Sequence, residues 1–283
     1  MYLAIQAVRQ GALISVQLLC RVAKIPRSSY YKWLNRKPSL RELENEQLAQ
    51  AMLVLHEEVR GIFGYRRMAL HLRRMRKQKL NKKRVQRLMR IEGIQSVIRR
   101  KKKKYTPSTP QHTAENLLAR KFHAETPNEK WLTDVTEFKY GSQKAYLSAV
   151  LDLHDNTIVS HVLGHSNNNN LVFETVETAL QTTPDRKPML HSDRGFQYTS
   201  SKFKELFGAK LTQSMSRVGK CIDNGPMESF WGTLKSERYY LNVYNTYDEL
   251  KRDIDDYIHF YNYERLQAKL NGLSPMEFRT KAV

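Results

Sequence analysis

The order of short apolar segments after residue 130 constrains the fold more than any other feature of the sequence. Val, Leu, Tyr and Thr are concentrated in 131–139, 145–153 and 157–163, which predicts three consecutive antiparallel strands. Helical and strand patterns then alternate, with helix at 168–183, strand at 187–192, helix at 200–208, strand at 209–216 and mostly helix over 225–263. This order predicts an α/β fold, a mixed five-stranded sheet flanked by helices on both faces.

The part before this sheet is expected to be entirely helical. Residues 14–35 have the pattern of a helix-turn-helix, with a break at Lys24-Ile25-Pro26 and an aromatic second helix. Residues 40–59 predict a polar helix, and residues 62–91 predict a helical pair with Asn81 at the turn. An all-α helix-turn-helix region therefore precedes the sheet.

Positive charge is concentrated in one segment of the chain. The formal net charge is +20, and residues 60–105 contain 19 Lys and Arg against a single acid, Glu92. Residues 106–283 are nearly balanced, with 21 basic and 22 acidic side chains. Such segregation indicates a module that binds a polyanion, attached to a domain with a different task.

The same patterns divide the chain into five parts. We expect a helix-turn-helix region at 1–59, a basic helical region that binds the polyanion at 60–105, a linker at 106–129, the α/β core at 130–240 and a helical extension of the core at 241–283. No apolar run reaches the length of a transmembrane helix, so no membrane association is expected. Cys20 and Cys221 are far apart and outside any CxxC pattern, so a zinc site is not expected.

Three acidic residues occupy positions where carboxylates would serve chemistry. Asp134 lies inside the first predicted strand, where an acid is unfavourable unless it has a function. Asp193 ends the fourth strand, at the edge where α/β folds bind ligands. Glu228 falls in the first turn of a helix that Pro226 can open. The three are predicted to be both catalytic residues and metal ligands.

Phosphodiester chemistry explains why three carboxylates are wanted. Two divalent ions about 3.5–4 Å apart can activate the attacking oxygen and stabilise the leaving oxygen. Mg²⁺ prefers oxygen ligands and keeps several waters, so few carboxylates suffice. We therefore expect two Mg²⁺ ions per site, with Mn²⁺ as a substitute, bound weakly until DNA arrives.

Each acid also has a simpler interpretation. Asp134 can be a local edge charge, Asp193 a turn residue and Glu228 a solvated acid favoured by the helix dipole. Asp152 and Asp155 are weaker candidates, because Asp155-Asn156 has turn chemistry and Asp152 can be a strand-end charge. The functional interpretation depends on the three acids together.

A series of motifs resembles one protein family along nearly the whole chain. The motifs are FGYRRM (63–68), KKRVQRLMR (82–90), PNEKWLTDVTEF (127–138), HSDRGFQYTS (191–200), SMSRVGKCIDNGPMESFWGTLKSE (214–237) and YNYERLQAKLNGLSPMEF (261–278). In this order they resemble the DDE transposases of bacterial insertion sequences, whose core is like that of retroviral integrases. The chain looks most like the catalytic, second-reading-frame subunit of the IS-three family. The 34 residues between Asp193 and Glu228 are one short of the family's usual spacing.

The resemblance implies a ribonuclease-H-like core in which Asp134, Asp193 and Glu228 hold the metals. Lys235 matches a basic family position two helical turns after Glu228, and it is expected to contact a DNA phosphate. Arg217 is also expected to contact DNA, and Asn224 to cap the catalytic helix. The remaining family positions, expected to support the site, are His191, Ser192, Gln197, Tyr198 and Ser216.

The N-terminal part supplies the other candidate DNA contacts. In the aromatic helix at 28–35, Tyr30, Tyr31 and Trp33 either read a groove or pack a small core, and the packing interpretation is favoured. Backbone phosphates are expected to be bound by exposed basic side chains. The candidates are Arg27, Lys32, Arg66, Arg67, Lys82, Lys83, Arg84 and Arg87.

The resemblance implies a DNA transposase that nicks the ends of a mobile element and joins them by strand transfer. Its partners would be the terminal repeats, target DNA, further copies of the chain in a dimer or larger assembly, and an upstream reading-frame product. A cytoplasmic, nucleoid-associated bacterial protein is expected. A metal-dependent nuclease of the same fold, an inactive DNA-binding regulator and an RNA-binding module remain alternatives, although no RNP-type aromatic motif is present.

Overall fold

The computed structural model describes residues 1–11, 14–98, 117–119, 122–216 and 224–281. The basic run Lys101–Lys104, most of the predicted linker and Arg217 lie outside the described residues. Within the described part of the chain, no helix is both long and apolar enough to span a bilayer.

The first three helices enclose a small aromatic core. They are α1 (Tyr2–Gly11), α2 (Val16–Val22) and α3 (Arg27–Leu34). Tyr30 is fully buried, and Tyr2 stacks on Trp33 with ring centroids 5.4 Å apart. The packing interpretation therefore holds for Tyr30 and Trp33, while Tyr31 is exposed. The sequence did not predict α1, because only Ile5 of this helix is buried and its apolar pattern is weak.

Three further helices form a second unit with its own apolar core. These are α4 (Leu40–Glu58), α5 (Tyr65–Arg76) and α6 (Lys82–Ile91), as the periodicity predicted. Ser39 and Glu42 form a capping box that begins α4. The predicted turn residue Asn81 caps α6, where its side chain accepts a hydrogen bond from the Lys83 amide at 2.9 Å. The interior of this unit is filled by Leu48, Met52, Phe63, Met68, Leu72 and Val85.

The predicted mixed sheet is confirmed. Its strands are β1 (Lys130–Tyr140), β2 (Gln143–Asp152), β3 (Ile158–Gly164), β4 (Met189–Ser192) and β5 (Thr212–Met215). Their spatial order is β3-β2-β1-β4-β5. The first three strands are antiparallel neighbours, whereas β4 runs parallel to β1 and β5 runs parallel to β4.

Helices cover both faces of this sheet. One face packs against α7 (Asn169–Gln181), α8 (Phe196–Thr199) and α9 (Ser201–Phe207), around Trp131, Val172 and Phe203. The other packs against α10 (Gly225–Glu237) and α11 (Tyr247–Tyr263), and the chain continues into α12 (Pro275–Lys281). The mostly helical pattern expected over 225–263 is confirmed: a 3₁₀ turn at Tyr239–Leu241 separates two helices, and Thr246 caps the second.

A buried ionic cluster joins the basic helical unit to the core. The Glu237 carboxylate, at the end of α10, lies 2.8 Å from Arg67 of α5 and 2.8 Å from Arg265, which follows α11. The Tyr257 hydroxyl donates to the same carboxylate at 2.9 Å. Burial alone would raise the pKa of Glu237, but Arg265 and Arg67 outweigh it and the pKa is lowered. The cluster therefore ties three parts of the chain to one carboxylate.

Neutralising Glu237 should destabilise the whole protein. In Glu237→Gln, the buried Arg265 and the partly buried Arg67 lose their counter-charge, so we expect the free energy of unfolding to fall by about 3–5 kcal/mol. Urea unfolding measures the change. Glu137→Gln is the matched control, because it breaks the exposed pair with Lys144 and should cost far less. Equal losses of unfolding free energy in the two variants would show that the buried cluster stabilises the protein no more than an exposed ion pair does.

Candidate active site

Two of the predicted acids are positioned by neighbouring parallel strands, Asp134 within β1 and Asp193 just after β4. In the register of β1 with β4, Leu132 is opposite His191, and Asp134 and Asp193 each follow two residues later. Because side chains alternate along a strand, Asp134 shares the face of Leu132, which is the face covered by α10. Asp193 directly follows the last residue of β4 and is exposed. The sheet thus brings the two carboxyl groups to one edge.

The carboxylate of Asp134 is held by two hydrogen bonds. Its Oδ1 accepts from the Val135 amide at 2.9 Å, and its Oδ2 accepts from the indole Nε1 of Trp231 at 3.0 Å. Burial is the largest influence on this group and, together with the negative charge of Asp193 and the weaker effect of Glu228, raises its pKa to about 7. The two hydrogen bonds oppose that rise. Asp134 therefore lies in the electrostatic field of both other acids.

The third acid is carried by α10, which lies along β1. Glu228 is in the first turn of this helix and is exposed. The helix follows the strand through Asn224, whose Nδ2 donates to the Thr133 carbonyl at 3.2 Å, and Lys235, whose Nζ donates to Thr136 Oγ1 at 2.6 Å. Asn224 occupies the N-cap position, but its side chain does not cap the helix, so that expectation was wrong: its amide is bound to β1 instead.

The donor set fits a hard divalent cation, although it is not arranged around one. Among the described residues, no group of three or more acidic, His or Cys side chains has the geometry to hold a metal ion. The oxygens present are nevertheless of the right kind, since three carboxylates raise one another's proton affinity unless a cation compensates them. The buried Oδ1 of Asn224 also lacks a hydrogen-bond partner within the described chain. Asp134, Asp193 and Glu228 are the residues that could hold the metal.

The predicted supporting residues surround Asp193. His191 is fully buried and bridges Ser214 at 2.9 Å and Ser216 at 3.1 Å. The Ser216 carbonyl also accepts a hydrogen bond from Arg194 Nε at 2.8 Å. The Ser192 hydroxyl donates to the Asp193 carbonyl at 2.8 Å. These contacts fix the end of β4 and the start of the loop after β5.

Gly195 lies in a closely packed turn after Asp193. The Gly195 amide donates to Asp193 Oδ1 at 2.9 Å, and a Cβ at this position would lie 2.7 Å from Gln197 Oε1 and 3.0 Å from Asp193 Oδ1. Gln197 itself donates to Asn167 Oδ1, and the buried Tyr198 hydroxyl lies 3.2 Å from Thr133 Oγ1. Both side chains are buried and tie the Asp193 turn to neighbouring segments, Gln197 to Asn167 and Tyr198 to β1.

The candidate phosphate contacts fall into two groups. Arg27 and Lys32 of α3, Arg66 of α5, and Lys82, Lys83 and Arg87 of α6 are exposed. Arg67 is engaged with Glu237, and Arg84 with Glu44 at 2.9 Å and Asn45 at 2.8 Å. In this conformation the second group holds helices together.

The sequence analysis did not identify Trp231 as a partner of Asp134, and it gave Asp152 and Asp155 little weight. Trp231, three residues after Glu228, shares a helix face with it, and that spacing was the available signal for its contact with Asp134. Asp152 and Asp155 are fully buried, and Arg279 of α12 forms ion pairs with both. Asp152 also accepts from the amides of Asn128 and His154 at 2.7 and 3.0 Å. Those two acids therefore hold the C-terminal helix to the end of β2.

Comparisons with known proteins show which domain families this chain matches. Models of the integrase core domain match residues 124–221 and 228–283, and a model of an HTH-like domain matches residues 42–102. The mixed sheet with its flanking helices, together with these matches, defines a polynucleotidyl transferase with a ribonuclease-H-like integrase core.

Full-length relatives narrow the class to a family. The chain is 40% identical to the putative transposase for insertion sequence element IS150 of Escherichia coli K12, over 93% of each protein. It is 29% identical to the transposase of insertion sequence IS3A from the same organism, over 96% of each. The chain belongs to the IS3 family of insertion-sequence DDE transposases, and it is a DNA transposase.

Among solved structures, the catalytic core of the HTLV-2 integrase in complex with magnesium is similar over 54% of this chain and 97% of that one. The two are 20% identical, with a TM-score of 0.45. Because such a score does not establish a common fold by itself, the family assignment comes from the sequence matches.

The raised pKa of Asp134 predicts how stability changes with pH in the metal-free protein. This carboxyl has a folded-state pKa of about 7 against an ordinary value of 3.8, so the folded state binds the proton more tightly and stability falls as pH rises between these values. We expect Asp134→Asn in EDTA to be more stable than the wild type at pH 8, by a few kcal/mol at most. The two should converge at acidic pH.

Thermal unfolding across this pH range measures the effect. Glu205→Gln, an exposed acid on α9 of the opposite face, is the control and should follow the wild type. A wild type that is more stable than Asp134→Asn at pH 8 without metal would contradict the electrostatic account.

Proposed function

We propose that Asp134, Asp193 and Glu228 form the catalytic centre of this transposase and together hold two divalent ions, Mg²⁺ or Mn²⁺. The observation that carries the proposal is the electrostatic coupling of Asp134 to both other acids, across β1, β4 and α10. A half-buried carboxylate beside two further acids is costly in the metal-free protein, and it becomes favourable when cations compensate it. Bound ions would lower the pKa of the attacking water or hydroxyl and stabilise the leaving oxygen.

The family membership supports a reaction in two steps. Water first attacks the phosphodiester at an element end, which frees a 3′-hydroxyl. That hydroxyl then attacks a second strand, so one phosphodiester bond forms as another breaks. In this family the first transfer joins one end to the other and gives a circular intermediate that later integrates. The carboxylates orient the nucleophile and keep the scissile phosphate in line with it.

Lys235 and the basic helices would hold the DNA. Lys235 lies on the same face of α10 as Glu228, where it can bind a phosphate beside the scissile bond. The exposed cations of α5 and α6 suit the DNA backbone, and Arg27 and Lys32 on α3 suit a groove or its phosphates. We include Arg217 among the phosphate contacts on the family resemblance alone. Such contacts position the terminal repeats and target DNA.

Cutting two ends and joining them requires that both be held together. We therefore propose that the active form is a dimer or larger assembly on DNA, with the upstream reading-frame product as a further partner. The place of action would be the bacterial cytoplasm, on nucleoid DNA. The family membership and the HTH-like match support the proposed assembly on DNA.

Strand transfer with labelled element-end DNA and Mg²⁺ tests the proposal. The wild type should give both nicked and joined products, and Glu228→Gln should lose both by several orders of magnitude. Glu205→Gln, which neutralises an exposed acid on the other face of the sheet, is the matched control and should retain activity. Nicks without joined strands would indicate a nuclease. Retention of every function by Asp134→Asn would indicate a DNA-binding regulator.

The salt dependence of binding tests the arm. We expect Lys82→Ala combined with Lys83→Ala to weaken binding to an element-end duplex and to reduce the slope of log K against log[salt] by about 1–2. Arg84→Ala is the comparison, since Arg84 is engaged with Glu44 and should affect stability more than this slope. Fluorescence anisotropy over a range of salt measures both. A larger slope change for Arg84→Ala would reverse the assignment.

A further inference from the structure

The indole of Trp231 makes a direct contact with the carboxylate proposed to be catalytic. Its Nε1–H donates to Asp134 Oδ2 at 3.0 Å, across the interface between α10 and β1. The side chain is almost fully buried, at 6% exposure, and packs against Phe230 with ring centroids 5.0 Å apart. The donor is therefore rigid and comes from a different element than the acid it touches.

The two hydrogen bonds at Asp134 define the orientation of its carboxylate. The Val135 amide occupies Oδ1 at 2.9 Å, and the Trp231 indole occupies Oδ2. A carboxylate oxygen offers about two lone-pair positions, so each oxygen retains one for another partner. The Val135 bond comes from the neighbouring residue and moves with the same backbone. The Trp231 bond instead fixes the carboxylate relative to α10, the helix that carries Glu228.

The chemistry of the donor suits this task. Indole donates a single hydrogen bond and accepts none, so Trp231 cannot compete with Asp134 for a metal ion. It is also neutral, whereas a Lys or Arg at this position would neutralise the carboxylate and repel a cation. A neutral N–H stabilises the ionised carboxylate while leaving its charge available.

We propose that Trp231 is a positioning residue that holds the Asp134 carboxylate in its metal-binding orientation and keeps it in register with Glu228. The inference rests on the proposed catalytic role of Asp134. Trp231 lies three residues after Glu228, on the same helix face, so one side chain links the helix that carries one acid to the strand that carries another. The Asn224 and Lys235 contacts with β1 flank this link on either side.

A second tryptophan provides a matched control. Trp131 lies on β1, the strand that carries Asp134, is fully buried, and donates its indole N–H to Asn128 Oδ1 at 3.3 Å. It belongs to the apolar cluster on the opposite face of the sheet and has no bond to Asp134. Trp→Phe at either position removes one indole N–H and reduces a buried ring, but only Trp231→Phe removes a donor from the candidate site.

Binding of Mn²⁺ to the full chain, followed by titration calorimetry, separates positioning from packing. We expect Trp231→Phe to weaken Mn²⁺ binding by about 10-fold or more, as losing an outer partner of a metal ligand usually does. Trp131→Phe should leave the affinity unchanged. In an Asp134→Asn background, Trp231→Phe should produce no further loss, because the ligand it orients is already gone. Equal weakening by both Trp→Phe variants, or an undiminished effect in the Asp134→Asn background, would overturn the proposal.

The same data distinguish this inference from the proposed function. If Asp134→Asn binds Mn²⁺ as tightly as the wild type does, the catalytic assignment of Asp134 fails. If Asp134→Asn loses affinity but Trp231→Phe does not, only the positioning role fails.

A second measurement covers a Trp231→Phe variant that does not fold. In ¹⁵N-labelled protein, Asp134→Ala should shift the indole N–H resonance of Trp231 and leave those of Trp33 and Trp131 in place. The Trp131→Phe and Trp33→Phe spectra assign the three resonances. An unmoved Trp231 resonance would mean that the indole is not bound to Asp134 in solution, and the proposal would be wrong.

Discussion

The half-buried Asp134 carboxylate, held beside two further acids, is the constraint on which the rest of the core depends. Its pKa rises to about 7 because burial and like charges both disfavour ionisation. A fold that retains such a group needs rigid neighbours, since a mobile chain would separate the charges. The parallel pairing of β1 with β4 and the docking of α10 along β1 provide that rigidity. The stored repulsion is what a divalent cation would relieve.

Helix α10, which carries Glu228, is held at its two ends by different interactions. Near its start, hydrogen bonds from Asn224 and Trp231 tie it to β1, where the electrostatic cost is concentrated. At its end, Glu237 is buried between Arg67 and Arg265, so opposite charges compensate one another inside the protein. Because Arg67 belongs to the basic helical unit, the position of that unit is physically linked to the helix that carries Glu228.

Most of the fold was predictable because hydrophobic periodicity is a local property. All five strands were expected near their observed positions, and Asn81 and Pro226 were identified as helix-start residues. The errors occurred where tertiary contacts override local preference. Asn224 has the chemistry of a cap, yet its amide is bound to Thr133 of a distant strand. The mostly helical pattern over 225–263 was correct, but local periodicity did not show that it divides into two helices after Glu237.

The sequence by itself determined the order of strands and helices, the segregation of positive charge and the choice of three candidate acids, because each depends only on residue type and spacing. Only the tertiary structure decided which basic residues face solvent and which are used internally: Arg67 and Arg84 carry the same charge as Arg66 and Arg87 but lie against Glu237 and Glu44. It also decided that Trp231 meets Asp134, a contact between residues 97 positions apart. Local spacing put Trp231 on the helix face of Glu228, but its partner on β1 is set only by how the helix packs on the strand.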